Sequence, residues 1–154
     1  MSLLQDVEVL RNIPLFAKLE PSKLKLLAFT AERLTFQPGQ FLVKQGDAGD
    51  SAYVIVEGEA DVQVDAPTGT ITVAHIGRHA FVGEIAILCD VPRTASVKAV
   101  TPVIAMRITK ALFFELVNQF PSIAVEIMRE LASRLGRTTQ QLQQTLSQIE
   151  SGKK

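Results

Sequence analysis

The chain has 154 residues, 47% hydrophobic and 21% charged, which is enough for one domain with a full core and too few for two. Sixteen basic and sixteen acidic side chains leave no formal net charge, which disfavours general nucleic-acid binding. One cysteine and two histidines exclude a disulfide framework and a Cys/His zinc site formed by this chain alone. No apolar run reaches the length of a membrane span, so we expect a cytoplasmic protein with no membrane partner.

The predicted elements fall into three groups along the chain. Apolar residues at helical spacing predict short helices over residues 3–10 and 22–31. Glycines then separate short runs of β-branched and aromatic residues, which predicts a mainly β fold, an eight-stranded β roll of the jelly-roll kind, over 32–109. Helical spacing returns over 110–150, where Pro121 begins the longest helix. We expect a single domain over 1–154.

Residues 81–97 are too long for a hairpin turn between two of these strands. Gly83 permits a close backbone approach, and residues 84–88 predict a short helix whose unpaired N–H groups favour an anion. Arg93 has the strand parity of small apolar residues at 95, 97 and 99, which predicts that its side chain points into the roll.

A buried guanidinium needs a counter-charge, and its planar fork suits two oxygens of one phosphate. The Thr94 hydroxyl would lie at the rim, and the Glu84 carboxylate suits a sugar hydroxyl, so together the pattern indicates a nucleotide monophosphate. Each residue also has a structural interpretation: Arg93 would pair with Glu84 or Asp90, Gly83 would form a turn, and Thr94 would be a strand residue.

These residues resemble the phosphate-binding cassette of the cyclic nucleotide-binding domain family, which includes catabolite-activator-type transcription factors, protein kinase regulatory subunits and cyclic nucleotide-gated channels. The matching letters are Phe-Val-Gly-Glu-Ile-Ala at 81–86 and Pro-Arg-Thr-Ala-Ser-Val at 92–97. Family-like stretches at 13–16 and 38–58 precede them in the expected order. The resemblance covers about residues 10–150.

The resemblance implies that a 3′,5′-cyclic nucleotide, cAMP or cGMP, binds with its phosphate at Arg93 and its ribose hydroxyl at Glu84. A threonine at the position of Thr94 contacts guanine in cGMP-dependent kinase domains but also occurs in channels that respond to cAMP, so the base stays open. Thr138 and Thr139 match the Thr-Ser that contacts adenine in catabolite-activator-type proteins. The implied ligand-binding residues are Val82, Gly83, Glu84, Ile85, Ala86, Arg93, Thr94, Thr138 and Thr139.

The last helix carries apolar and threonine residues spaced alternately three and four apart, which predicts parallel coiled-coil pairing in a homodimer. Alternatively, its first turns pack on the roll and the remainder is a solvated tail. The seam residues are Met128, Leu131, Leu135, Thr138, Leu142, Thr145 and Ile149.

The sequence predicts a regulatory sensor with no catalytic residue, no metal ligand and no cofactor besides the nucleotide. His75 and His79 are too few ligands for a catalytic metal, and Cys89 has no evident histidine partner. The transcription factors of the family continue into a helix-turn-helix beyond the point where this sequence ends. We therefore expect no direct DNA binding and an unknown effector protein, with a fragment of a longer protein as the equal alternative. The alternative is a protein-interaction module of the same fold that no longer binds nucleotide.

Overall fold

The computed structural model describes residues 3–13 and 16–152, apart from the side chains of Glu84, Ile85, Glu130 and 151–152. Pro14 and Leu15, from the family-like stretch at 13–16, therefore lie outside the described residues. The chain divides into two compact units, Met1–Glu115 and Leu116–Lys154.

Both predicted N-terminal helices are present, α1 (Leu3–Arg11) and α2 (Pro21–Thr30). Proline, which has no N–H group, suits the first turn of α2 because N–H groups in that turn have no intrahelical acceptor. Arg33 donates two hydrogen bonds, of 2.7 and 2.8 Å, to the carboxylate of Asp6, which ties the first strand to α1.

Eight strands form two antiparallel sheets of four, which confirms the predicted β roll. The strand order is β1-β8-β3-β6 in one sheet and β2-β7-β4-β5 in the other. The strands are β1 (Glu32–Phe36), β2 (Phe41–Val43), β3 (Ser51–Glu57), β4 (Ala60–Ala66), β5 (Gly69–Ile76), β6 (Phe81–Val82), β7 (Ser96–Ala99) and β8 (Val103–Thr109).

The interior of the roll is filled by one cluster of buried apolar side chains drawn from both sheets. Burial of each full-sized aliphatic side chain contributes about 1.5–3 kcal/mol, so this cluster holds the two sheets together. Its members are Leu42, Tyr53, Ile55, Ala60, Val97, Ala99, Val103 and Ala105.

A short helix, α3 (Glu84–Cys89), follows β6 as predicted. The residues at its two ends, Gly83 and Asp90, both have left-handed backbone conformations, with φ of 93° and 51°. Strand alternation was expected from Arg93 onward, but β7 begins only at Ser96, so Arg93 lies in the loop between α3 and β7.

Two helices complete the chain, α4 (Lys110–Gln119) and α5 (Pro121–Gly152). Four apolar seam residues of α5, Met128, Leu135, Leu142 and Ile149, are at least half exposed. Within the described part of the chain, no single helix has the length and apolar composition to cross a membrane, and α4 and α5 meet that test only if counted together across their break.

Candidate functional site

Arg93 is fixed first through its backbone. Its N–H group donates to the Asp47 carbonyl at 2.8 Å, and its own carbonyl accepts from the Gly46 N–H group at 2.9 Å. These bonds join the loop between β2 and β3 to the loop after α3. The side chain is buried as predicted, but the strand parity behind that prediction does not apply, because Arg93 lies in a loop.

The Arg93 guanidinium is held by two main-chain oxygens. Nη2 donates to the Ser51 carbonyl at 2.7 Å, and Nη1 donates to the Gly83 carbonyl at 3.2 Å. Only 6% of the residue is exposed. This burial lowers the pKa of Arg93, while the nearby charges of Asp50 and Asp47 oppose the shift. An arginine keeps its charge even so, so the site presents a desolvated cation.

No described carboxylate forms an ion pair with this cation. Asp90, one expected partner, pairs instead with Lys110 at 3.3 Å. The side chain of Glu84, the other expected partner and the expected ribose ligand, lies outside the described part, so both interpretations of Glu84 stay predictions.

Two glycines, Gly83 and Gly49, allow the backbone to pack closely against Arg93 and Ala86. A Cβ atom on Gly83 would lie 2.5 Å from Arg93 Nη1, and the φ of 93° also disfavours a side chain there. A Cβ atom on Gly49 would overlap the Cβ of Ala86 and lie 3.4 Å from Arg93 Cζ. Gly49 was not among the predicted site residues, although the family-like stretch at 38–58 contains it.

A second arginine, Arg107, binds residues next to Arg93. Arg107 donates from Nε to the Ser51 hydroxyl at 2.9 Å, and its two terminal nitrogens reach Asp50 and Glu32, each at 3.2 Å. The Ser51 hydroxyl donates to Asp50 at 2.9 Å. That hydrogen bond and the charge of Arg107 lower the pKa of Asp50 against the opposing effect of burial. None of these residues was among the predicted site residues, although the family-like stretch at 38–58 contains Asp50.

Val64 of β4 and Ile71 of β5 form a pair of apolar side chains, which we call the apolar wall. Val64 and Ile71 are opposite each other on the two strands, on the face that Ala60 turns to the core. Gln45 Oε1 accepts from the Asp65 N–H group at 2.8 Å, which ties this end of β4 to the loop that pairs with Arg93. Ile71 is 45% exposed.

The structure brings five of the predicted residues to one place in the first unit. Val82 packs against the core, Gly83 and Arg93 are hydrogen-bonded, and Ala86, 4% exposed, lies against Gly49. Thr94 follows Arg93 and is exposed. Ile85 lies in α3, but its side chain is outside the described part.

The remaining predicted residues, Thr138 and Thr139, lie on α5 in the second unit. Their hydroxyls donate to carbonyls four residues earlier in the helix, each at 2.9 Å. Their expected contact with adenine therefore stays a prediction.

A shallow surface groove of about 450 Å³ lies elsewhere, among the turns around Glu59, Gly77 and Val100. It contains none of the predicted site residues. His75, which lines it, is 83% exposed and pairs with Asp61. Among the residues that the structure describes, no group of three or more His, Cys, Asp or Glu side chains is arranged to hold a metal ion.

Sequence comparison relates the chain to regulatory proteins. The family model "Cyclic nucleotide-binding domain" matches residues 33–120. A cAMP-dependent protein kinase regulatory subunit from Colletotrichum orbiculare is 34% identical over 75% of this chain and 29% of that protein. A CRP-like cAMP-activated global transcriptional regulator from Mycobacterium tuberculosis is 29% identical over 88% of this chain and 61% of that protein. The chain thus spans less than two thirds of the length of these relatives.

Solved structures show the same fold. The N-terminal domain of a transcriptional regulator from Streptomyces coelicolor is 32% identical, with a TM-score of 0.70 over 84% of this chain and 94% of that chain. The catabolite activator protein of Thermus thermophilus is 26% identical, with a TM-score of 0.78 over 84% of this chain and 61% of that chain.

Proposed function

This chain belongs to the cyclic nucleotide-binding domain family, and we propose that it binds a 3′,5′-cyclic nucleotide as a regulatory sensor. The observation that carries the proposal is the buried Arg93 guanidinium, which main-chain carbonyls orient and which no described carboxylate neutralises. A desolvated cation of this kind is strongly stabilised by an anion that supplies paired oxygens.

A cyclic phosphate fits this cation because it carries one negative charge and two exposed oxygens for the guanidinium fork. The apolar wall at Val64 and Ile71 supports the flat base, whose burial adds a hydrophobic contribution. We assign the ribose hydroxyl to Glu84 and the backbone contacts to residues 82–86.

We propose cAMP as the preferred nucleotide, because the two sequence relatives described above are named for dependence on cAMP or activation by it. Calorimetric titration of the purified chain with cAMP, cGMP and adenosine tests this proposal. We expect a dissociation constant on the order of micromolar or tighter for cAMP and much weaker binding of adenosine, which lacks the phosphate. Equal affinity for cAMP and adenosine would contradict a phosphate-directed site.

Thr94→Ala tests whether the exposed Thr94 hydroxyl distinguishes guanine from adenine. If the hydroxyl contacts guanine, the substitution lowers the affinity for cGMP several-fold and leaves the affinity for cAMP within about twofold of wild type. The difference corresponds to the loss of one hydrogen bond of about 1 kcal/mol. Parallel titrations of wild type and variant with both nucleotides measure the difference. Equal losses for the two nucleotides would assign the hydroxyl to the phosphate.

We propose that α5 carries the output, through a homodimer or to an effector protein. The half-exposed seam residues Met128, Leu135, Leu142 and Ile149 support pairing with a second copy, because large apolar side chains at this spacing favour a coiled-coil partner. A ligand shifts such a helix only if it binds one of its two positions better than the other.

Hydrogen exchange over residues 120–150, with and without saturating cAMP, measures that shift. We expect the exchange rates of α5 amides to change on binding, since a ligand-dependent contact changes local opening. Unchanged exchange would remove the role of α5 and leave the binding proposal intact.

The alternative function is a protein-interaction module of the same fold that no longer binds nucleotide. The intact Gly83 and Arg93 geometry disfavours it, because a buried arginine without an anion is costly to keep. We further propose a non-catalytic, cytoplasmic protein, and the exposed thiol of Cys89 suits a reducing compartment.

A further inference from the structure

Arg107 links three parts of the first unit around one serine. Its guanidinium binds the Ser51 hydroxyl, the Asp50 carboxylate and the Glu32 carboxylate. Hydrogen bonding to Glu32 raises the pKa of Arg107 against the effect of burial. Two carboxylates thus already neutralise the charge of Arg107, so Arg107 is not expected to bind the nucleotide phosphate.

Ser51 in turn connects Arg107 with Arg93. The residue is fully buried at the start of β3, its hydroxyl accepts from Arg107 at 2.9 Å and its carbonyl accepts from Arg93 at 2.7 Å. That carbonyl is the nearer of the two oxygens that hold the Arg93 side chain. The position of the Ser51 peptide group therefore determines the direction of the Arg93 fork.

Arg107 also occupies the Asp50 carboxylate, which would otherwise attract Arg93. The negative charge of Asp50 already acts on Arg93, and both Arg107 and the Ser51 hydroxyl bind it. Without Arg107, the carboxylate loses its cationic partner and competes with a phosphate for Arg93. Two effects of Arg107 thus favour phosphate binding, namely a fixed Ser51 carbonyl and an engaged Asp50.

We propose that Arg107 is a positioning residue for nucleotide binding, which acts on the phosphate only through Ser51, Asp50 and Arg93. This inference rests on the proposed function. Substitution of Arg107 therefore weakens binding of the cyclic phosphate without removing any group that touches it.

The test compares Arg107→Met with Arg33→Met. Both arginine side chains are 29% exposed and both bind a carboxylate, but Arg33 binds Asp6 of α1. We expect about a tenfold loss of cAMP affinity for Arg107→Met, as one weakened charge-assisted contact implies. Arg33→Met retains wild-type affinity. Thermal unfolding without nucleotide measures the stability of each variant separately.

A double-mutant cycle with Arg93→Lys separates positioning from general damage. Lysine lacks the guanidinium fork that the Ser51 carbonyl orients. In the Arg93→Lys variant, Arg107→Met should therefore lower cAMP affinity by less than about twofold. The same tenfold loss in both backgrounds would overturn the proposal. Arg107→Gln, which keeps a donor toward Ser51, replaces Arg107→Met if that variant does not fold.

The same titrations distinguish failure of this inference from failure of the proposed function. If wild-type protein does not bind cAMP, the sensor function itself is wrong. If wild type binds cAMP and Arg107→Met binds it equally well, only the positioning role of Arg107 is wrong.

Discussion

Arg93→Ala is expected to weaken both cAMP and cGMP binding strongly in a chain that still folds. The substitution removes the only buried cation of the cassette described by the structure. Loss of a desolvated, charge-assisted contact costs about 2–5 kcal/mol, a decrease in affinity of at least about thirtyfold. Calorimetric titration measures the loss, and the thermal shift at a fixed nucleotide concentration should decrease with it.

Folding should survive this substitution because the arginine contributes little to the stability of the nucleotide-free chain. Burial lowers its pKa, and its side-chain hydrogen bonds replace water at a desolvation cost. Arg93→Lys is the matched control, which keeps the charge and loses the fork, and should bind with intermediate affinity. An Arg93→Ala chain that does not fold would instead support a structural ion pair, with Glu84 as the remaining expected partner.

Gly49→Ala should lower both stability and nucleotide affinity through one added methyl group. The new Cβ overlaps the Cβ of Ala86, so α3 has to move away from the loop between β2 and β3. Overpacking of this kind costs about 1–3 kcal/mol of unfolding free energy. Because the displaced Ala86 belongs to the helix beside Arg93, cAMP affinity should also fall, by about tenfold.

Gly77→Ala is the control for Gly49→Ala. A Cβ atom on Gly77 has its nearest neighbour at 3.7 Å, an ordinary van der Waals distance. Denaturant unfolding and cAMP titration should therefore give different results for the two variants. Gly77→Ala should be close to wild type in both unfolding free energy and cAMP affinity. Wild-type affinity in Gly49→Ala would show that α3 moves without disturbing the phosphate site.

Most of the fold was predictable because its signals are local. Glycines between runs of β-branched residues predicted the β roll, and Pro121 correctly predicted the start of α5. The two-residue strand β6 was not predicted, because two residues carry no periodicity. The late start of β7 at Ser96 was also missed, because the alternation continues through residues that form a loop instead.

The site was predictable only where one segment contains it. Gly83, Ala86 and Arg93 belong to a single recognisable stretch, and the structure brings them together. Arg107 and Ser51 are 56 positions apart and meet only because β3 and β8 are neighbours, which no local pattern specifies. Gly49 meets Ala86 for the same reason, through tertiary packing.

Both side-chain contacts of Arg93 are made to main-chain oxygens, at Ser51 and Gly83. Every amino acid has a carbonyl, so no codon change at position 51 deletes this acceptor. Evolutionary drift there acts on the fine adjustment of the site and leaves the arginine's anchor in place. Protein engineers can accordingly vary the part-exposed Arg107 to tune affinity, with Gly49, Gly83 and Arg93 held constant.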